Sequence, residues 1–108
     1  MKENRENSRI NVRWLIELYL EDQDKIEGEV RNISKSGLLI YTKDLLEIDH
    51  TYRMAIFPPE QDYLPIVGKI IRSEPYAKDK NQKDIFSGIS IVEVKEEDSH
   101  FLDRFLDQ

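Results

Sequence analysis

The sequence lacks cysteine, has only two histidines among its 108 residues, and contains no long apolar run. Without cysteine, disulfides, thiol catalysis and thiolate metal sites are excluded. No stretch reaches the ~18 apolar residues of a membrane span, and the charged N-terminus has no hydrophobic signal region, so we expect a cytoplasmic chain without membrane insertion. His50 and His100 have no nucleophile or ligand spacing around them. We therefore expect no enzyme, no metal site and no cofactor.

Positive charge is also scarce, because 22 acidic side chains stand against 16 basic ones and the formal net charge is -6. The first 16 residues are the exception, since they hold four basic and two acidic side chains. An acidic body argues against DNA or RNA polymers as partners, because these need a basic face or stripe. This distribution is compatible with one small anionic ligand held by a local arginine cluster.

What the sequence does contain is a series of strand patterns. Every even position from Ile10 to Leu20 is apolar, which is the period of a strand with one buried face. Further strands are predicted at about residues 25–31, 38–42, 52–56, 64–73 and 85–94. Residues 96–107 place apolar side chains four apart behind three acids, which is typical of a helix. The sequence therefore predicts one all-β domain over residues 1–108, a six-stranded antiparallel β-barrel (10–94) with a C-terminal α-helix (96–107).

Two short motifs lie around the first two predicted strands. Arg5 and Arg9 have RxxxR spacing, and the segment from Asn32 to Gly37 reads NISKSG, a [DN]xSxxG match. Composition alone supplies about 0.4 RxxxR pairs but only about 0.03 matches to the second pattern. Taken singly, the arginines read as solvated charges on a chain terminus, and the second motif reads as a turn. Their order and their all-β setting point to a nucleotide receptor.

The chemistry of these residue types suits a guanine nucleotide. The planar arginine fork can donate two parallel hydrogen bonds to guanine O6 and N7 or to a phosphate, and its face can stack on the base. Asn32 offers an amide oxygen for guanine N–H groups, and Ser34 offers a hydroxyl. Gly37 permits a positive φ and a close backbone approach.

The arrangement resembles the PilZ domain family of bacterial cyclic di-GMP receptors. The family places RxxxR before the first strand and [DN]xSxxG some twenty to thirty residues later, and here the second motif begins 23 residues after Arg9. The resemblance implies a cyclic di-GMP site formed by Arg5, Arg9, Asn32, Ser34 and Gly37. It also implies a flexible N-terminal arm (1–9) that closes over the ligand, a monomer or weak dimer, and signalling to a downstream protein partner.

Several alternatives stay open at the level of sequence. Arg9 and Arg13 also have RxxxR spacing, but Arg13 falls on the outward face of the first predicted strand, so we favour Arg5 and Arg9. The domain can instead be a PilZ-like protein-interaction module that does not bind cyclic di-GMP. An unrelated small barrel for single-stranded nucleic acid is disfavoured by the acidic body. Three departures from the family pattern are Asn32, where aspartate is commoner, Glu6, an acid inside the RxxxR segment, and Asp49-His50, where a glycine is common.

Overall fold

The structure is a computed structural model that describes residues 9–75 and 84–107. Six strands precede one helix: β1 (Ile10–Tyr19), β2 (Lys25–Ile33), β3 (Gly37–Thr42), β4 (Thr51–Phe57), β5 (Leu64–Pro75), β6 (Ile85–Val94) and α1 (Glu96–Leu106). All strand pairs are antiparallel, and they form a closed barrel in the order β1-β2-β3-β6-β5-β4. The predicted six-stranded antiparallel barrel with a C-terminal helix is therefore confirmed.

The barrel interior is filled by the apolar positions of the strand alternation. Branched aliphatic side chains dominate, and many are completely removed from solvent: Ile16, Leu18, Val30, Ile33, Ile40, Ile56 and Ile70 each have 0% exposure. Because side chains in a strand alternate between faces, the residues between them lie on the outer surface. The outer surface of the strands is therefore where polar side chains from different strands meet.

The strand register shifts at four places, and two of these are β-bulges in β2 and β5 that change which side chains face outward. In β2 the register shifts between Val30 and Asn32 relative to β3, which leaves Arg31 without an opposite residue. Val30 and Ile33 both lie in the core with 0% exposure. Uninterrupted alternation would have turned Asn32 into the barrel with Val30, so the bulge re-aims the Asn32 side chain to the outer face.

The helix α1 packs against the barrel through its apolar stripe. Leu102 is 4% exposed and belongs to the hydrophobic core. Phe105 contacts Trp14 of β1, with 5.1 Å between ring centroids. Three acidic residues occupy the first turn and Arg104 lies in the last turn, which complements the helix dipole. The helix ends at Leu106, one residue before the predicted boundary.

Asp49 occupies the place where the family pattern favours glycine. Its φ of 71° is in the left-handed region, which asparagine and aspartate tolerate better than most residues. The Asp49 N–H donates to the Ile70 carbonyl at 2.7 Å, and the Ile70 N–H donates to the His50 carbonyl at 2.9 Å. The departure from glycine at this position is therefore accommodated within the turn before β4.

A charged cluster lies on the outer face of β1 and β2. Lys25 Nζ donates to Glu17 Oε2 at 2.9 Å, and the Tyr19 hydroxyl donates to Glu17 Oε1 at 2.9 Å. The hydrogen bond from Lys25, followed by that from Tyr19, lowers the pKa of the Glu17 carboxyl. Burial, followed by the hydrogen bond to Glu17, raises the pKa of Tyr19.

Within residues 9–75 and 84–107, no helix is long and apolar enough to cross a membrane.

Candidate ligand-binding site

The two sequence motifs meet at the start of β1. The Arg9 Nη1 group donates to Asn32 Oδ1 at 2.6 Å, across 23 residues of sequence. The barrel topology causes this contact, because the antiparallel β1–β2 pair places Asn11 opposite Asn32 and Ile10 opposite Ile33, which brings Arg9 within diagonal side-chain reach of Asn32. Arg9 is exposed and Asn32 is half-buried. The contact leaves the rest of the guanidinium directed to solvent-accessible space, where an anionic ligand can reach it.

The turn between β2 and β3 holds the second motif in place. The Ser34 N–H donates to the Gly37 carbonyl at 2.9 Å, and the Ser34 hydroxyl donates to the same oxygen at a longer 3.4 Å. Ser34 is only 2% exposed. The Ile91 N–H of β6 donates to the Ser36 carbonyl at 2.9 Å, which fixes the tip of the turn on the barrel.

Gly37 is required by close packing and not by a positive φ. None of the four glycines of the chain, all of which are described, has a positive φ, so the positive φ that glycine permits is not used at Gly37. A Cβ atom at Gly37 would instead overlap the backbone carbonyl oxygen of Ile89 on β6. The missing side chain therefore brings the backbones of β3 and β6 together and opens the outer surface above them.

A cavity of about 450 Å³ lies on this outer surface, over β3, β6 and β5. Arg9, Asn32, Ser36 and Gly37 supply its motif side, and residues of β5 and β6 supply the opposite side. The full lining is Arg9, Asn32, Ser36, Gly37, Leu38, Leu39, Ile71, Arg72, Gly88, Ile89 and Ser90. The volume falls within the range usual for small-molecule sites, and the lining combines two arginines with small and apolar residues.

A neighbouring depression of about 600 Å³ lies on the other side of Asn32. Its lining includes Arg13 and Arg31. The Arg31 guanidinium already lies over the Tyr41 and Phe86 rings, at 5.7 and 5.8 Å from their centroids. Arg13 is exposed on the outward face of β1, as the alternation predicts. It therefore borders the depression next to the cavity and does not line the cavity that holds Arg9.

The predicted site residues are distributed unequally. Arg9, Asn32 and Gly37 line the cavity together, whereas Ser34 is buried in the turn and Ser36 takes the position at the cavity wall. Arg5 and the rest of residues 1–8 lie outside the described residues, so only Arg9 of the predicted arm (1–9) is described. A direct contact from Ser34 or Arg5 to a ligand stays a prediction.

Sequence reasoning did not find the cavity residues on β5 and β6. Arg72 and Ile71 come from β5, and Gly88 and Ser90 come from β6. They lie more than thirty residues after the second motif and belong to neither of the two motifs. Strand order is a signal that could have found them, since a barrel that places β3 beside β6 and β6 beside β5 brings these residues next to Gly37.

The described residues do not suggest metal chemistry. Among residues 9–75 and 84–107, no group of three or more histidine, aspartate or glutamate side chains converges so that it could hold a metal ion. Polar recognition of a ligand by arginine, amide, hydroxyl and backbone groups is what this cavity can perform.

Solved structures with this fold include proteins of two bacteria. The inhibitor of motility MotI/DgrA of Bacillus subtilis matches with a TM-score of 0.77 at 17% identity, over 97% of this chain and 50% of that chain. The PilZ domain of Escherichia coli YcgR, solved with c-di-GMP, matches with a TM-score of 0.77 at 11% identity, over 96% of this chain and 89% of that chain. The longer YcgR structure in complex with c-di-GMP gives the same TM-score and identity, over 96% of this chain and 45% of that chain.

The chain thus spans half the length of the Bacillus subtilis protein and 45% of the longer YcgR chain. At these identities the likeness shows the fold alone. No curated protein sequence matches the chain. A family model does match, since the model of the PilZ domain covers residues 3–108, which is nearly the whole chain. The chain therefore belongs to the PilZ domain family.

Proposed function

We propose that this protein is a cyclic di-GMP receptor that signals to a protein partner. The observation that carries the proposal is the contact of Arg9 with Asn32 at the rim of a 450 Å³ cavity that Gly37 also lines. Both family motifs thereby contribute to one open cavity on the barrel surface. Family membership and the c-di-GMP bound to the YcgR domain support the choice of ligand.

The recognition chemistry follows from the groups present. Arg9 has further N–H donors beside the one that Asn32 accepts, and these can donate to a phosphate or to guanine O6 and N7. The Asn32 amide can accept from guanine N–H groups, and Ser36 and Ser90 add hydroxyls at the wall. The apolar side chains of Leu39 and Ile71 suit the faces of a base.

The arm over residues 1–9 would order on the ligand and supply Arg5. Ordering about five residues costs roughly 5–10 kcal/mol, at ~1–2 kcal/mol each. Each charge-assisted hydrogen bond returns ~1.5–3 kcal/mol, and stacking adds to this. Micromolar affinity corresponds to about -8 kcal/mol. Both arginines must therefore engage the ligand for the receptor to reach that range.

The motif turn is also connected to the C-terminal helix. Lys35, inside the motif, lies 4.0 Å from Asp103 of α1, measured between Nζ and Oδ1. The turn is hydrogen-bonded to β6 through Ser36 and Ile91, and α1 follows β6 directly. A ligand that shifts the turn would thus act on the helix, whose outer surface is available to a partner.

Calorimetric titration of cyclic di-GMP into the purified protein tests the proposal. We expect saturable binding in the micromolar range, and no comparable heat from GTP or cyclic di-AMP at the same concentrations. Absence of cyclic di-GMP binding to folded protein would refute the receptor assignment. That result would favour the alternative of a PilZ-like protein-interaction module that does not bind cyclic di-GMP.

A further inference from the structure

The β5 strand carries an arginine whose position no motif predicts. Arg72 lines the same cavity as Arg9, Asn32 and Gly37, from the opposite wall. Its side chain is 65% exposed, and its ion pair with Glu74 is loose, with 3.9 Å between Nη1 and Oε2. An exposed ion pair of this kind contributes little to the stability of the fold, so it does not explain why position 72 is an arginine.

A bulge places Arg72 on the outer face. Ile70 has 0% exposure and faces the core, and Ser73 also faces inward, because its Oγ accepts from the fully buried Ser87 hydroxyl at 2.9 Å. Two residues, Ile71 and Arg72, therefore lie between two inward-facing positions. The register confirms this, since Ile70 opposes Ile89 while Arg72 opposes Gly88, which leaves Ile71 as the extra residue. Without the bulge, alternation would point Arg72 into the barrel with Ile70.

Gly88 gives the Arg72 side chain its place on the sheet. A Cβ atom at Gly88 would lie 3.4 Å from both Cγ and Nε of Arg72. The arginine stem therefore crosses the β6 backbone directly over Gly88, where any larger side chain would compete for the same space. This contact holds the guanidinium at the wall of the cavity, opposite the motif residues.

The surroundings of Arg72 favour a planar base over a phosphate. Ile71 is 52% exposed and lines the cavity beside Arg72, and Leu39 lines it as well. Gly37 and Gly88, which have no side chains, line the cavity between these residues and the motif side. Apolar side chains next to an arginine fork match a guanine, which offers its faces to apolar groups and presents the paired acceptors O6 and N7 to a forked donor.

We propose that Arg72 is a third ligand-binding arginine, which donates its paired N–H groups to a guanine base of cyclic di-GMP, with Gly88 holding its stem. The inference rests on the proposed function and assigns a base-recognition residue to the same cavity. The bulges at Arg31 and Ile71 then have the same structural effect. Each turns a polar side chain, Asn32 or Arg72, from the barrel interior toward one ligand.

Calorimetry with cyclic di-GMP on four variants tests this assignment. We expect Arg72→Ala to weaken binding at least about tenfold, and Arg72→Lys to weaken it about fivefold, because lysine keeps the charge but loses the fork. Gly88→Val should weaken binding about fivefold by displacing the arginine stem, with an unchanged melting temperature, because a β-branched residue suits an outward strand position. Arg53→Ala, an exposed arginine on β4 away from the cavity, is the matched control and should stay within about twofold.

The outcomes separate this inference from the receptor assignment. If Arg9→Ala loses affinity while Arg72→Ala stays within about twofold of wild type, the protein is a receptor but Arg72 is not part of its site. If Arg72→Lys keeps full affinity, Arg72 supplies charge alone and the base contact is wrong. If the wild-type protein does not bind cyclic di-GMP, the receptor assignment fails and the role of Arg72 fails with it.

Discussion

Replacing Arg9 by alanine should weaken cyclic di-GMP binding without destabilising the barrel. Arg9 lies before β1, is exposed, and has one described hydrogen bond, to Asn32 Oδ1 at 2.6 Å. Exposed side chains of this kind change the free energy of unfolding by about 0.5 kcal/mol or less. A charge-assisted hydrogen bond to the ligand is worth ~1.5–3 kcal/mol, which corresponds to a loss of about 10- to 100-fold in affinity.

Arg13 is the matched control for this experiment. It has the alternative RxxxR spacing with Arg9, carries the same charge and is also exposed, but it borders the neighbouring depression. We expect Arg13→Ala to stay within about threefold of wild-type affinity, measured by calorimetry at fixed ionic strength. Arg5→Ala should resemble Arg9→Ala, because closure of the arm over the ligand needs both arginines.

Two results would refute this reasoning in different ways. A loss from Arg13→Ala as large as that from Arg9→Ala would assign the motif to Arg9 and Arg13. Wild-type affinity in both Arg5→Ala and Arg9→Ala would refute the closure of the arm over the ligand. Thermal unfolding of each variant is the check on folding, and we expect melting temperatures that match the wild type.

Three further predictions concern packing and pH. Gly37→Ala should lower the free energy of unfolding by about 1–3 kcal/mol, because its Cβ would overlap the Ile89 carbonyl and separate β3 from β6; urea unfolding measures this. Leu102→Ala should lower the free energy of unfolding by about 2–4 kcal/mol in the same assay, since Leu102 is the buried residue of α1. Lys25→Met should lower the melting temperature at about pH 7 but less at about pH 3. Because the pKa of Glu17 is lower in the folded protein than in the unfolded chain, its carboxylate stabilises the fold above the unfolded pKa. This contribution is lost as the pH falls through the folded pKa.

Each of these has a result that would contradict it. Wild-type stability of Gly37→Ala would mean that the β3–β6 approach is not set by the glycine. A cost below about 1 kcal/mol for Leu102→Ala would mean that α1 packs loosely on the barrel. An effect of Lys25→Met that is the same at both pH values would show that the Glu17 carboxylate is not what the lysine stabilises.

The barrel itself could be predicted because its strands follow simple alternation. The predicted strands at about 25–31 and 64–73 differ from Lys25–Ile33 and Leu64–Pro75 by two residues at one end, and the residues at 85–94 match Ile85–Val94. The period of two identifies a strand wherever one face is buried. Antiparallel pairing and closure then follow from having six short strands in one small domain.

The candidate site could be predicted only on its motif side. Arg9, Asn32 and Gly37 were found because short motifs place them in known spacing, and the structure brings them to one cavity. The bulge at Ile71 could not be read from sequence, since an apolar residue inside an apolar run looks like any other strand position. Arg72 was therefore missed, because alternation alone assigns it to the barrel interior.

The distinction between Ser34 and Ser36 was also beyond sequence reasoning. Both serines belong to the motif segment, and their two-residue spacing gives no indication of which one reaches the surface. The turn decides it, because Ser34 forms hydrogen bonds to Gly37 inside the turn while Ser36 lies at the cavity wall. Backbone geometry, and not residue type, determines which hydroxyl a ligand can reach.

Amide chemical-shift mapping during a titration with cyclic di-GMP tests the central claim most directly. The account predicts that the largest shift changes occur at Gly37, Gly88 and Ser90, which line the cavity from β3 and β6. Tyr63 and Val67, which line a separate groove of about 520 Å³ on β4 and β5, should not change. Changes centred on that groove, or no changes at a saturating ligand concentration, would contradict the account.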